Sequence, residues 1–337
     1  MASVQNIHAS APTRIDLAGG TLDIWPLYLF HDRAQTLNAA ISIRARCEIT
    51  PRSDKRLVIV SEDAGQRVEV DHWSQLRDGH DLKLLGKLLH YFQAEGLELR
   101  TRSESPVGAG IAGSSALNIA VCGALNEWSG GHRSADEIFQ IAMNVEAQAI
   151  DVPTGVQDYR PALYGGISAV ELGVDGVRRV PIAVKAEDLQ ARLVLAYTNA
   201  SRNSGINNWE VTKRHIDGDR GVQERFARIR DIAAAMRNAL ERHDWPEVGR
   251  QIAAEWENRK RLAPGVTTPE IDAMLDAARH AGALAGKVCG AGGGGCLFCF
   301  GQPEAVPAIR DALASAGAKL LDFRIEEQGL IVERGRA

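Results

Sequence analysis

The chain has 337 residues, and its 39 basic and 43 acidic side chains leave a net charge of only -4, which gives no sign of the strongly basic balance that nucleic acid or an acidic membrane selects. Hydrophobic residues make up 45%, yet no run reaches the roughly eighteen uncharged apolar residues needed to cross a bilayer, and MASVQNIHASAPTR lacks the apolar stretch of a secretory signal. The expectation is a cytoplasmic protein of two lobes, monomer or homodimer, that binds a small molecule and neither nucleic acid nor membrane.

In chain order, Ile41 to Thr50 and Arg56 to Val70 read as strands, Leu82 to Ala94 as a helix and Leu97 to Arg102 as another strand. A helix starting at Ser114 or Ser115 carries its apolar face through Leu117, Val121, Ala124, Leu125 and Trp128. Ser134 and Glu137 form a capping box, and Ile138, Ile141, Val145 and Ala149 continue a helix to about Ile150. A lobe boundary falls between 180 and 192, giving lobes of 1–187 and 188–337, and Arg192 to Thr198 opens the second as a strand.

The stretch from Gln223 to Gly282 is helix-rich. Phe226, Ile229, Ala233, Met236 and Leu240 mark one helix, while Asp244 with Pro246, and Thr268 with Pro269, start two more. An apolar strand from Cys296, a helix from Pro303 to Ala316 stopped by Gly317, and two closing strands end the chain. The odd count of five cysteines, scattered widely, argues against a disulfide framework, and Cys296 and Cys299 read as buried strand residues. Trp245 and Trp256, at helical spacing among apolar residues, read as core.

Three segments carry the chemistry. In Pro106-Val-Gly-Ala-Gly-Ile-Ala-Gly-Ser-Ser-Ala116, Gly108, Gly110 and Gly113 let backbone approach a ligand where a helix begins, so its free N–H groups form an anion site; close packing is the plain alternative. Ser114 stands where a Walker A loop requires lysine. The run Gly290-Ala-Gly-Gly-Gly-Gly295 implies that something approaches its backbone, or a hinge. In Ala11-Pro-Thr-Arg-Ile-Asp-Leu-Ala-Gly-Gly-Thr-Leu-Asp23, a strand bearing Arg14 runs into a turn where Asp23 can accept hydrogen bonds from hydroxyls.

These segments, in this order, resemble the three signature motifs of the galactokinase, homoserine kinase, mevalonate kinase and phosphomevalonate kinase superfamily, the third as Lys287-Val-Cys-Gly-Ala-Gly-Gly-Gly-Gly295. The twelve-residue step from Glu146 to Asp158 resembles the family's magnesium glutamate and catalytic aspartate. Ala18-Gly-Gly-Thr-Leu-Asp23, Thr198-Asn-Ala-Ser-Arg-Asn-Ser204 and Trp256-Glu-Asn-Arg-Lys-Arg-Leu262 resemble the branch that contains the heptose 7-phosphate kinases. The sequence departs from that branch at Thr21-Leu22 in the first turn, at Ala112-Gly113 and at Tyr159-Arg160.

The resemblance implies an α+β fold with an N-terminal lobe like ribosomal protein S5 and a ferredoxin-like C-terminal lobe. It implies ATP and Mg2+ as cofactors and transfer of a phosphoryl group to a sugar or sugar-phosphate hydroxyl, the anomeric one foremost. Amides and side chains of Pro106, Gly108, Ala109, Gly110, Ile111, Ala112, Gly113, Ser114 and Ser115 would hold the ATP phosphates, and Ser114 with Glu146 would bind magnesium. Asp158 would take the acceptor proton with Arg14 as its partner. Gly20, Thr21, Asp23, Ser201, Arg202, Ala291 and Gly292 would face the acceptor.

Read from the residues alone, Glu146 is better taken as a solvated helix carboxylate and Asp158 as a loop cap, and Arg202 is equally a surface ion pair or a partner for an acceptor phosphate. Two rivals stay in view, an isoprenoid or amino-alcohol acceptor on the same fold and a non-catalytic sensor of ATP and sugar. A dinucleotide-binding enzyme is set aside, because no acidic residue ends a second β-strand about twenty residues after the glycines, where the chain reads Trp128-Ser-Gly-Gly131.

Overall fold

A computed structural model describes residues 5–77, 81–200 and 204–335. The elements run β1 (Ile7–Ala18), β2 (Gln35–Pro51), β3 (Leu57–Ser61), β4 (Gln66–Val70), α1 (Lys83–Tyr91), β5 (Leu97–Ser103), α2 (Gly113–Trp128) and α3 (Ala135–Ile150). They continue through α4 (Tyr159–Tyr164), β6 (Ile167–Gly173), β7 (Gly176–Pro181), α5 (Ala186–Gln190), β8 (Leu193–Tyr197), α6 (Ser204–Ile216), α7 (Arg220–Glu241) and α8 (Trp245–Arg259). The chain ends with α9 (Pro269–His280), β9 (Ala283–Val288), β10 (Cys296–Gly301), α10 (Val306–Ser315), β11 (Lys319–Leu321) and β12 (Ile331–Arg334).

Eight strands form one sheet with the path β12-β1-β2-β5-β3-β4, to which β6 and then β7 add beside β2. β1 is buried along nearly its whole length because both of its faces are covered, by α2 on one side and by α7 and α8 on the other. That double coverage brings the charged residues Arg14 and Asp16 to the centre of the molecule. The second sheet, β11-β8-β10-β9, is wholly antiparallel, and its chain order of fourth, first, third, second strand is the ferredoxin-like pattern.

The expected caps form. Ser134 and Glu137 close a reciprocal box, and the side chains of Asp244 and Thr268 accept the N–H groups of Glu247 and Ile271. The expected single strand from Arg56 to Val70 is instead the hairpin β3–β4, broken at Glu62-Asp63-Ala64-Gly65, where turn residues outweigh the flanking β-branched run. The expected strand from Ile41 starts earlier, at Gln35, and helices α4 and α6 and the hairpin β6–β7 had no counterpart in the sequence reading. Of the two closing strands, β12 leaves the second sheet and pairs antiparallel with β1.

All five cysteines are buried thiols. Trp256 is buried, and Trp245 packs on Phe300 with the Arg192 guanidinium over its ring, as core residues do. Among the described residues no helix is long and apolar enough to cross a membrane.

Candidate active site

A cleft of about 580 Å3 opens where β1, the first turn of α2, the end of α3 and the Gly290 loop converge. A larger open groove of about 730 Å3 lies between α1 and α3, but three of its charged groups are engaged elsewhere: Asp136 pairs with Arg160, Glu137 caps α3, and Arg133 lies over Phe92. The cleft, not the groove, gathers the acids and the glycine loops.

Arg14 is 3% exposed. Its Nε donates to Asp158 Oδ1 at 2.8 Å, a terminal nitrogen lies 2.6 Å from the same oxygen, and the other donates to the Gly110 carbonyl at 2.9 Å. Burial alone would lower the guanidinium pKa, but Asp158 and Asp16 more than offset it, so the arginine stays charged. Asp158 occupies the N-cap position of α4 without capping it; its carboxylate is turned to Arg14.

Glu146 projects from the buried face of α3 and is no solvated carboxylate. It accepts from Ser114 Oγ at 2.9 Å, Ser115 Oγ at 3.1 Å and Tyr159 Oη at 2.7 Å. Burial raises its pKa, opposed by these hydrogen bonds. Ser114 Oγ and Glu146 Oε1 thus form an adjacent pair of hard oxygen donors on the cleft wall, which fits a magnesium ion completed mainly by phosphate oxygens. Among the described residues no cluster of three His, Cys, Asp or Glu offers an all-protein metal cage.

Ala112, with φ +66°, is the N-cap of α2, so the backbone turns sharply and the amides of Gly113, Ser114 and Ser115 lack intrahelical acceptors. Pro106, Gly108, Ala109, Gly110, Ala112, Gly113, Ser114 and Ser115 line the cleft. Ile111 does not join them: it is fully buried in the core, and its carbonyl accepts the Arg14 N–H.

Asp23 and Thr21 line the same cleft. Asp23 is 1% exposed and accepts the Gln157 N–H at 3.0 Å; burial, with Asp158 nearby, pushes its carboxyl up to about 6. Gly20 sits behind the turn, where a Cβ would meet Asp16 and Arg259. Ala291 and Gly290 line the cleft, whereas Gly292 packs against Val266. Ser201 and Arg202 lie outside the described residues.

What approaches the four-glycine run is the protein itself. A Cβ at Gly292, Gly293, Gly294 or Gly295 would lie 2.5, 2.9, 2.8 or 2.6 Å from a carbonyl oxygen of Val266, Gly265, Ala200 or Ala109. The run is where three loops meet, and Cys296 N–H to Ala109 O, at 2.6 Å, ties it to the first glycine loop.

The sequence reading missed the ionic group beneath the cleft. Asp16, Glu255, Arg259 and Lys287 are each at most 2% exposed and bridge one another at 2.8–3.2 Å. Burial alone would raise the Asp16 carboxyl, but Lys287, Arg259 and Arg14 hold it well below the usual carboxylate range. A signal was present: Glu255 and Arg259 fall on the apolar stripe of α8 that Val248 and Ile252 begin. Nor did the reading find Tyr159, which secures Glu146.

Comparison with known proteins agrees with this architecture. The family model described as the GHMP kinases N terminal domain matches residues 82–166, and that described as GHMP kinases C terminal matches 236–319. A D-glycero-alpha-D-manno-heptose 7-phosphate kinase from Campylobacter jejuni is 30% identical, the alignment covering 97% of this chain and 98% of the relative. In fold, the chain is similar to a D-glycero-D-manno-heptose 1-phosphate kinase from Bacteroides thetaiotaomicron, with TM-score 0.79, 24% identity and 98% and 100% of the two chains covered. It is likewise similar to Lactococcus lactis galactokinase, with TM-score 0.78, 20% identity and 98% and 95% covered. With family matches in both lobes and a relative aligned end to end, this chain belongs to the GHMP kinases, phosphotransferases that act on an alcohol group.

Proposed function

We propose that this kinase transfers the γ-phosphate of ATP to a hydroxyl of a sugar phosphate, with D-glycero-D-manno-heptose 7-phosphate the foremost acceptor and the anomeric hydroxyl the nucleophile. The carrying observation is that one cleft is lined both by the Arg14–Asp158 pair and by Ser114, in the first turn of α2, with Glu146 of α3.

In this reading the open amides of Gly113 to Ser115 bind the donor phosphates. Magnesium, when bound, would neutralise phosphate charge, and Ser114 Oγ and Glu146 would hold it. Asp158 accepts the hydroxyl proton as the new oxygen–phosphorus bond forms and the bond to the departing ADP breaks. Arg14 aims Asp158, so the benefit of the aspartate is chiefly positional. Asp23 and Thr21 contact acceptor hydroxyls. The family relative of heptose phosphate specificity, aligned over almost the full chain, supports this acceptor class.

The test is ADP release with ATP, magnesium and a panel of aldoses, heptose 7-phosphate, mevalonate and homoserine, followed by positional NMR of the product. Turnover is expected with the sugar phosphate at its anomeric position. Turnover confined to mevalonate or homoserine, or none with any acceptor, would overturn the assignment.

A further inference from the structure

The buried ionic group has a geometry beyond mere charge balance. Lys287 Nζ has three protons and three acceptors: the Asp16 carbonyl at 3.0 Å, Asp16 Oδ2 at 3.1 Å and Glu255 Oε1 at 2.8 Å. Two cations and two carboxylates balance within the group, and Arg259, although it lines the cleft, is only 2% exposed. Its fork points to the chain instead. One terminal nitrogen donates to Asp16 Oδ2 at 3.0 Å and Glu255 Oε1 at 3.2 Å, the other to Thr21 Oγ1 at 2.8 Å. Glu255 Oε2 accepts the Gly19 N–H at 3.0 Å, and a Cβ on Gly20 would lie 2.8 Å from the guanidinium. Gly19 and Thr21 are therefore each hydrogen-bonded to a single turn of α8, and Gly20 between them has no room for a side chain.

We propose that Glu255 and Arg259 are positioning residues for the Gly19–Asp23 turn, holding it so that Asp23 and Thr21 face the acceptor end of the cleft. The proposal rests on the reading that this turn contacts the acceptor. Lys287 is the counterion that bridges both acids, and through Asp16, whose Oδ1 accepts the Gly290 N–H at 3.0 Å, the same group ties the second glycine loop to β1. An arginine is required because a lysine at 259 keeps the charge yet lacks the fork that reaches Thr21 and the acids together.

The experiment compares the full chain with Arg259→Lys, Thr21→Val and the charge-balanced pair Glu255→Gln/Arg259→Met, which leaves Asp16 with Lys287. Readouts are the KM for heptose 7-phosphate, the KM for ATP, the melting temperature and amide hydrogen exchange at residues 19–23. Arg259→Lys is expected to raise the acceptor KM about tenfold and speed exchange at the turn, while the ATP KM stays within about twofold. Thr21→Val shows a smaller shift in the same direction, and the double variant melts near wild type with the Arg259→Lys defect. Unchanged acceptor KM and exchange in Arg259→Lys, or equal rises in both KM values, would overturn the proposal. If the wild-type chain does not phosphorylate this sugar, the acceptor assignment alone fails, and exchange at 19–23 decides the positioning role.

Discussion

The binding role proposed for Asp23 comes at a cost in stability. Its folded carboxyl titrates at about 6 against 3.8 when free, so the fold favours the neutral form. The stability this contributes is complete below about pH 4 and is lost as pH rises through 6. Asp23→Asn should therefore stabilise the protein by up to about 2–3 kcal/mol at pH 7.5. Urea unfolding across pH should show the gain vanish near pH 3.5, with the acceptor KM raised throughout; a loss of stability at pH 7.5 would refute the electrostatic account. At this scale the acids of the cleft were legible in sequence, since Glu146 and Asp158 keep their family spacing beside motifs that carry Arg14 and Ser114. The partners of Asp16 were not, because Glu255, Arg259 and Lys287 lie more than 230 residues away and meet it only when α8 and β9 pack beneath β1.

Two contacts between elements make similar demands. Gly295, with φ +80°, brings β10 against the Pro106–Gly113 loop so closely that a Cβ would strike the Ala109 carbonyl. Gly295→Ala should cost about 1–3 kcal/mol of stability and raise the ATP KM more than the acceptor KM; unchanged melting would show that the loops separate freely. Farther out, His31, following the 3-10 turn Leu27–Phe30, meets His215 of α6 through their Nε2 atoms at 2.9 Å. Burial, His215 and Arg230, opposed by Asp231, push the His31 pKa down to about 4. A base whose folded pKa is depressed contributes stability above about pH 6.5 and loses it as pH falls through 4. His31→Gln should remove about 1–2 kcal/mol of the stability change between pH 6.5 and 4, read from unfolding curves at each pH. Caps and periodicity revealed α3, α8 and α9, because those signals are local. The β3–β4 hairpin was misread as one strand, and α4 was missed since six residues give too little period to detect.

For the molecule as a whole, we propose a division near residue 187, with strands up to Pro181 in the large sheet and those from Leu193 to Leu321 in the small one. The final strand, β12, crosses back to β1, a pairing set by tertiary packing that no local pattern announces. β1 is thus the common element. It holds Arg14 against Asp158, Asp16 against the second glycine loop, and the Gly19–Asp23 turn at its end. The central claim, that Asp158 held by Arg14 receives the acceptor proton, is tested most directly by Asp158→Asn with ATP, magnesium and heptose 7-phosphate. The account predicts a kcat at least about a hundredfold lower, with ATP binding and melting temperature near wild type. Turnover equal to that of the wild type would contradict it.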